Sequence, residues 1–157
     1  MADGKLHAAV SVILAGSGQA LQQIASVTSY QAMAFSLGAL LGIILTPDLD
    51  LVGGSISQRQ VRKSTGNIIG LIWAMLWYPY AKLLGHRSFW SHTPIIGTII
   101  RIIYVFGLPL LLWSMLWQAG HVSVPPPIPV LGQLDPLLFW VLLGLSVSDL
   151  FHWLMDL

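Results

Sequence analysis

The sequence predicts an all-α integral membrane protein with about four transmembrane helices. A further helical segment, 67–84, is expected to lie in the membrane interface or to dip in and return, a reading that charge bias favours over a fifth crossing. Three observations carry this reading. Hydrophobic residues make up 55% of the 157 and charged residues only 8%, against about 25% charged in a soluble domain. Mean hydropathy is +0.77. Several runs approach the roughly 20 apolar residues that a bilayer crossing needs. The length fits a single domain, taken as 1–157.

The elements follow in chain order. "LHAAVSVILAGSGQALQQIA" (6–25) is the weakest span, because it holds Gln19, Gln22 and Gln23. Its small residues suit helix–helix contact in lipid. "YQAMAFSLGALLGIILT" (30–46) is stopped by Pro47. "NIIGLIWAMLWYPYAKLL" (67–84) carries Trp73, Trp77, Tyr78 and Tyr80, which suit the interface. "TPIIGTIIRIIYVFGLPLLLWSMLW" (93–117) has Pro109 as an expected kink. "DPLLFWVLLGLSVSDLFHWLMDL" (135–157) opens with Asp135 as N-cap and Pro136 at the first helical position. The first residues lack a strongly basic stretch, so a cleavable signal is not expected.

Charge sets the expected topology. The cations are Lys5, Arg59, Arg62, Lys63, Lys82, Arg87 and Arg101. With four crossings, loops 26–29 and 118–134 hold no Lys or Arg, and the cations gather on the cytoplasmic side. His7, Asp48, Asp50, His86, His92, Asp149 and His152 then all fall at that same face. Imidazole and carboxylate together are nitrogen and oxygen ligands for a divalent metal, zinc or manganese, with one or two ions per chain. The absence of cysteine excludes thiolate sites, iron–sulfur clusters and disulfides. Asp149 and His152 are three apart and share a helix face. Asp156 is expected to orient the His152 ring from behind. Asp48 and Asp50 are expected to point inward together from an extended turn.

Each residue also has a plainer reading. "PDLD" after an apolar helix is often a solvated loop, and His7 a terminal surface residue. Asp149 and His152 could simply bond each other. Convergence of the set on one face is what favours a metal. The candidate ligands are His7, Asp48, His86, His92, Asp149 and His152. Asp50 and Arg87 are the candidate catalytic groups, although Asp48 and Asp50 each suit either a ligand or a general base. Arg87 and Arg101 are candidates to hold an anionic head group.

The ordered string of His7, "PDLD" (47–50), "SQRQ" (57–60), "WYPYAKLLGHRSFWSHTPIIGTIIRIIY" (77–104) and "DLFHW" (149–153) resembles a metal-binding integral membrane family of unknown function. That family is similar to the YdjM-like inner-membrane metal-dependent hydrolases. The resemblance implies a metal site carried by His7, Asp48, Asp50, His86, His92, Asp149 and His152, and it names no substrate. The expected function is a membrane-embedded metal-dependent hydrolase acting on a phosphoester or lipid-linked substrate at the cytoplasmic face of an inner membrane. The alternative is a non-enzymatic accessory subunit of a larger membrane complex, with a structural metal site. Membrane lipids are expected partners. No basic patch is large enough to suggest nucleic acid.

Overall fold

In the computed structural model, which describes residues 4–51, 54–86, 88–126 and 136–156, every regular element is helical. α1 (Gly4–Ile24) and α2 (Ser29–Leu41) form a hairpin. Thr28 fixes its second limb through a reciprocal cap. Its Oγ1 accepts from the Gln31 N–H at 3.3 Å, and Gln31 Oε1 accepts from the Thr28 N–H at 2.8 Å. A 3₁₀ helix, Pro47–Asp50, follows α2. Then come α3 (Ile56–Thr65), α4 (Asn67–Leu84), the single turn α5 (Phe89–His92), α6 (Ile96–Gln118) and α7 (Pro136–Asp156).

α7 is the central helix, and its closest neighbour is α2. A Cβ on Gly38 would stand 1.9 Å from the Val141 carbonyl oxygen, and one on Gly144 would stand 2.1 Å from that of Phe35. Only hydrogen fits at these two crossing points, so the backbones touch. α1 joins through hydroxyls. Ser11 and Ser148 are 2.8 Å apart, and Ser36 donates to the Ala15 carbonyl at 2.6 Å.

The expected helix over 30–46 ends as a regular α-helix at Leu41. The next turn tightens, with Ile43 and Ile44 donating to carbonyls three residues back at 3.0 Å each. Gly42 there lies against Ser148, where a Cβ would meet Oγ at 2.2 Å. α2 is therefore 13 residues long, or about 20 Å. α1 has 21 residues but keeps its glutamines. Among the described residues two helices, α6 and α7, are long and apolar enough to cross a membrane. Of the four crossings expected from the sequence, these two meet the test of length and composition. Only 6% of the most apolar stretch of α6 is buried inside the protein, unlike the core helix of a soluble domain.

The segment 67–84 is one continuous helix that runs through Pro79 without turning back. It packs on α3 and the 3₁₀ helix. Trp77 and Tyr80, expected in the interface, are instead fully buried with Leu45, Leu49 and Leu145. The reason is their spacing: three apart, they share the α4 face turned toward the polar end of the bundle. Tyr78, on another face, is exposed. α6 begins at Ile96 rather than 93, because Ile95 takes φ 67 and ψ −62, a tight and strained γ-turn. It also continues through Pro109. The expected Asp135 cap lies outside the described residues.

The α2–α7 contact is directly testable. Gly144→Ala should lower stability by about 1–3 kcal/mol, the usual cost of overpacking. Gly16→Ala, whose Cβ meets open space, should be neutral or stabilising by up to about 1 kcal/mol. Thermal unfolding in detergent compares them, and equal effects would argue against the contact.

Candidate metal centre

Four chain segments deliver polar side chains to one end of the bundle. The first is the turn "TPDLD". Thr46 caps it by accepting from the Asp48 N–H at 3.3 Å, and Pro47 supplies a pre-set φ at the first position. The turn is 3₁₀ rather than extended. Residues two apart in a 3₁₀ helix point about 120° away from each other. Asp48 and Asp50 therefore reach the centre from two directions, not side by side.

The second segment is α5. Ser88 caps it by accepting from the Ser91 N–H at 3.3 Å, which turns His92 inward to 7% exposure. The third is α7, whose stripe Leu145, Ser148, Asp149 and His152 is buried. The fourth is the start of α1, where His7 stacks on His152 with ring centroids 3.9 Å apart.

Asp48, His92, His152 and Asp156 bring one ligand atom each within 4.8 Å of one another. Asp48 Oδ1 lies 3.5 Å from His152 Nε2 and 3.8 Å from His92 Nε2. Asp156 Oδ2 lies 3.6 Å from His152 Nε2, and its Oδ1 lies 3.6 Å from His7 Nε2. These spacings exceed hydrogen-bond lengths. They are close to the roughly 3.4 Å that separates ligands around a tetrahedral ion with 2.0–2.1 Å bonds. His92 Nε2 and His152 Nε2 are both buried and make no hydrogen bond. A buried nitrogen without a donor or acceptor is costly, and a cation between these atoms would satisfy both. The donor set therefore fits a divalent metal. Asp156 faces Nε2 of His152, so it joins the candidate ligand atoms and does not sit behind the ring as expected.

Asp50 lies behind this group. Its side chain is fully buried. It accepts from Ser91 Oγ at 2.6 Å and faces His86 Nδ1 at 2.8 Å and His92 Nδ1 at 3.1 Å. A proton held on His92 Nδ1 by Asp50 leaves Nε2 free to ligate, the usual carboxylate–histidine support of a metal site. Three donors make Asp50 a poor proton acceptor, so its geometry suits orientation better than the general-base role read from the sequence. Asp50, His86 and His92 form a second possible ligand group. It shares His92 with the first, by the opposite ring nitrogen.

Asp149 and Arg101 stand apart from both groups. Asp149 Oδ2 accepts from Arg101 Nη2 and from Thr98 Oγ1, and Arg101 Nη1 donates to the Ser91 carbonyl at 3.0 Å. Both charged residues are 1% exposed. Arg101, expected at a lipid head group, instead finds its counter-charge inside the protein. Asp149, expected as a ligand, spends one oxygen on that pair. Nothing local in the sequence announces a pairing across 48 positions. Arg87, expected to be catalytic and to bind an anion, lies outside the described residues. Gln60 was missed. Its buried Oε1 has no hydrogen-bond partner, and the residue lines the small cavity beside Asp48 and His152. Only "SQRQ" in the sequence hints at it.

The electrostatics follow from this crowding. Burial penalises the Asp48 carboxylate, but His152 and His92 outweigh that and hold it below the usual carboxylate range. Asp50 is also lowered against the cost of burial, by His92, Ser91 and His86. Burial disfavours the charged form of His92, yet Asp48 and Asp50 raise it to about 9. A metal ligating His92 must displace that proton.

A family described as uncharacterized metal-binding protein (DUF2227) matches residues 2–157. An uncharacterized protein of Aquifex aeolicus (strain VF5) is 30% identical over 138 residues, covering 78% of this chain and 87% of its own length. No solved structure matches the chain.

The raised His92 pKa gives a pH signature. A free imidazole titrates at 6.5 and the folded one at about 9. Its contribution to stability is thus full below about pH 6.5 and is lost as pH rises through about 9. The metal-free protein should melt at lower temperature at pH 9.5 than at pH 6, and His92→Gln should flatten that difference. Unchanged pH dependence in the variant would rule out His92 as the source.

Proposed function

The chain belongs to this metal-binding family, and on that premise we propose that it is a membrane-embedded metal-dependent hydrolase of phosphoester or lipid-linked substrates. The observation that carries the reading is the group Asp48, His92, His152 and Asp156, with unpaired imidazole nitrogens buried at one end of an apolar bundle. Resemblance to the YdjM-like hydrolases supports the same reaction class. In this reading α1, α2, α6 and α7 cross the bilayer and α3 and α4 lie along the interface. The cations then share the cytoplasmic face with the metal centre.

Zinc or manganese held there supplies Lewis-acid polarisation of a phosphoryl oxygen. The chain's own groups do the rest. His92 and His152 present Nε2, and Asp48 and Asp156 bring negative charge to balance the ion. Asp50 takes the Nδ1–H of His86, which leaves His86 Nε2 to accept a proton from the attacking water. The His86 side chain is 36% exposed, so a substrate can approach it. Arg87, next in the chain, is assigned to the anionic group of the substrate.

One observation favours the second reading, an accessory subunit with a structural metal. The cavity beside the cluster, bounded by His7, Ser11, Thr46, Asp48, Gln60 and His152, measures only about 20 Å³. That is room for about one water, so a phosphoester needs movement of α3 or an approach from the His86 side.

Metal analysis and phosphoesterase assays in detergent separate the readings. The wild type should carry metal and turn over a lipid-linked or soluble phosphoester. His152→Ala should lose metal and activity together. His86→Ala should keep metal if one ion sits in the first group, and lose about 10²-fold or more in turnover. A metal-loaded wild type with no turnover above the His152→Ala background would leave the accessory-subunit reading.

A further inference from the structure

Away from the metal centre, α3 and α4 enclose a groove of about 410 Å³, lined on one side by Gln58, Arg59, Arg62 and Asn67 and on the other by Leu71 and Ala74. We propose that this groove binds the phosphate of an anionic phospholipid, with the acyl chains running along α4. The inference rests on the membrane placement proposed above.

Charge is the first argument. The acids of the chain are Asp3, Asp48, Asp50, Asp135, Asp149 and Asp156. None is in α3 or α4. Among the described residues neither Arg59 nor Arg62 makes an ion pair, while Arg101 and the histidines of the centre take the described carboxylates. Two guanidinium groups three residues apart on one helix face therefore stand over an apolar wall with no counter-ion among the described residues. Such a pair is complementary to a phosphate.

Geometry is the second. Arg62 Nε donates to Asn67 Oδ1 at 2.8 Å, which fixes the guanidinium and leaves both Nη groups for an anion. Gly70 lets the helices close on each other: a Cβ there would meet the Arg62 Cβ at 2.6 Å. The start of α4 also faces this groove through Asn67, and it has no side-chain cap. Its first N–H groups add partial positive charge where the phosphate would sit.

The apolar wall is the third, and it selects a lipid over a free phosphate. Ile68, Leu71, Ile72 and Met75 form a continuous stripe on α4, each at least 60% exposed. Leu71 lines the groove itself, and the rest of the stripe runs beside the arginines along the same turns of α4, which sets apolar surface for acyl chains next to the cations that would hold a head group.

Native mass spectrometry tests this on the full chain released from nanodiscs holding equal phosphatidylglycerol and phosphatidylcholine. One phosphatidylglycerol should be retained per chain, favoured at least about tenfold over phosphatidylcholine. Arg59→Gln and Arg62→Gln should each cut retention about tenfold, while Lys63→Gln removes the same charge outside the groove and should not. Helical circular dichroism and metal content, equal to wild type, would show that the variants are folded. Equal loss in Lys63→Gln, or none in the arginine variants, would overturn the site. Displacement of the lipid by millimolar inorganic phosphate would overturn the choice of a lipid. Metal content and hydrolysis are read separately, so a chain that stays in the membrane with its metal but retains no phosphatidylglycerol defeats this inference alone. A chain that washes off membranes defeats both it and the membrane placement.

Discussion

A carboxylate removed from water must be given donors, and Asp50 is where this chain meets that demand most fully. Its side chain has no exposure, and it gathers Ser91, His86 and His92. These come from α5 and from the turn that follows α4, while Asp50 itself ends the 3₁₀ helix. One buried group thus ties together three stretches of chain that have little regular structure of their own. Removing one partner of a buried charged set typically costs about 3–5 kcal/mol, because the remaining charge is left exposed to a low dielectric. The same bonds that satisfy Asp50 decide which nitrogen of His92 is left for a metal.

The sequence disclosed the helices better than the way they meet. Apolar length located α1, α2, α4, α6 and α7 to within a few residues at most ends, and the placement of Lys and Arg grouped the histidines and aspartates at one end. It did not disclose α3, α5 or the 3₁₀ helix. α3 is polar over most of its length and carries no apolar period, while the other two are only four residues each. Their shape comes from caps at Ser55, Ser88 and Thr46 and from tertiary bonds. The extended reading of "PDLD" followed from a period of two, and the 3₁₀ twist undid it. Asp149 is a charge buried within an apolar helix. Its partner, Arg101, lay half a bundle away in sequence, where no spacing rule reaches. The i,i+4 spacing lets Asp156 face either nitrogen of His152, and the packing sets it at Nε2.

Two kinds of joint hold the helices together, and both suit an apolar solvent. Lipid offers little hydrophobic drive between helices, so close backbone approach and polar bonds must do more. α1, α2 and α7 use the first kind, through Gly38 and Gly144, with the hydroxyl bonds Ser11–Ser148 and Ser36–Ala15 beside them. α6 uses the second. Its outer length is nearly all exposed, and Gly97, Thr98 and Arg101 are its buried residues. Those three lie in its first two turns.

That location gives the Arg101–Asp149 pair a consequence beyond holding α6 to α7. The second arm of Arg101 donates to the Ser91 carbonyl, one residue before His92. Gly97 permits this approach, since a Cβ there would stand 2.4 Å from the same carbonyl. The strained turn at Ile95 then brings the chain from α5 into α6 over three residues. The position of α5 is therefore set from below by Arg101 and from the side by Asp50, through the backbone and hydroxyl of the same serine. His92 has little freedom left in which to miss its ligand position. Asp149 is in neither ligand group and spends one oxygen on Arg101 and Thr98, yet through Arg101 the register of the centre depends on it.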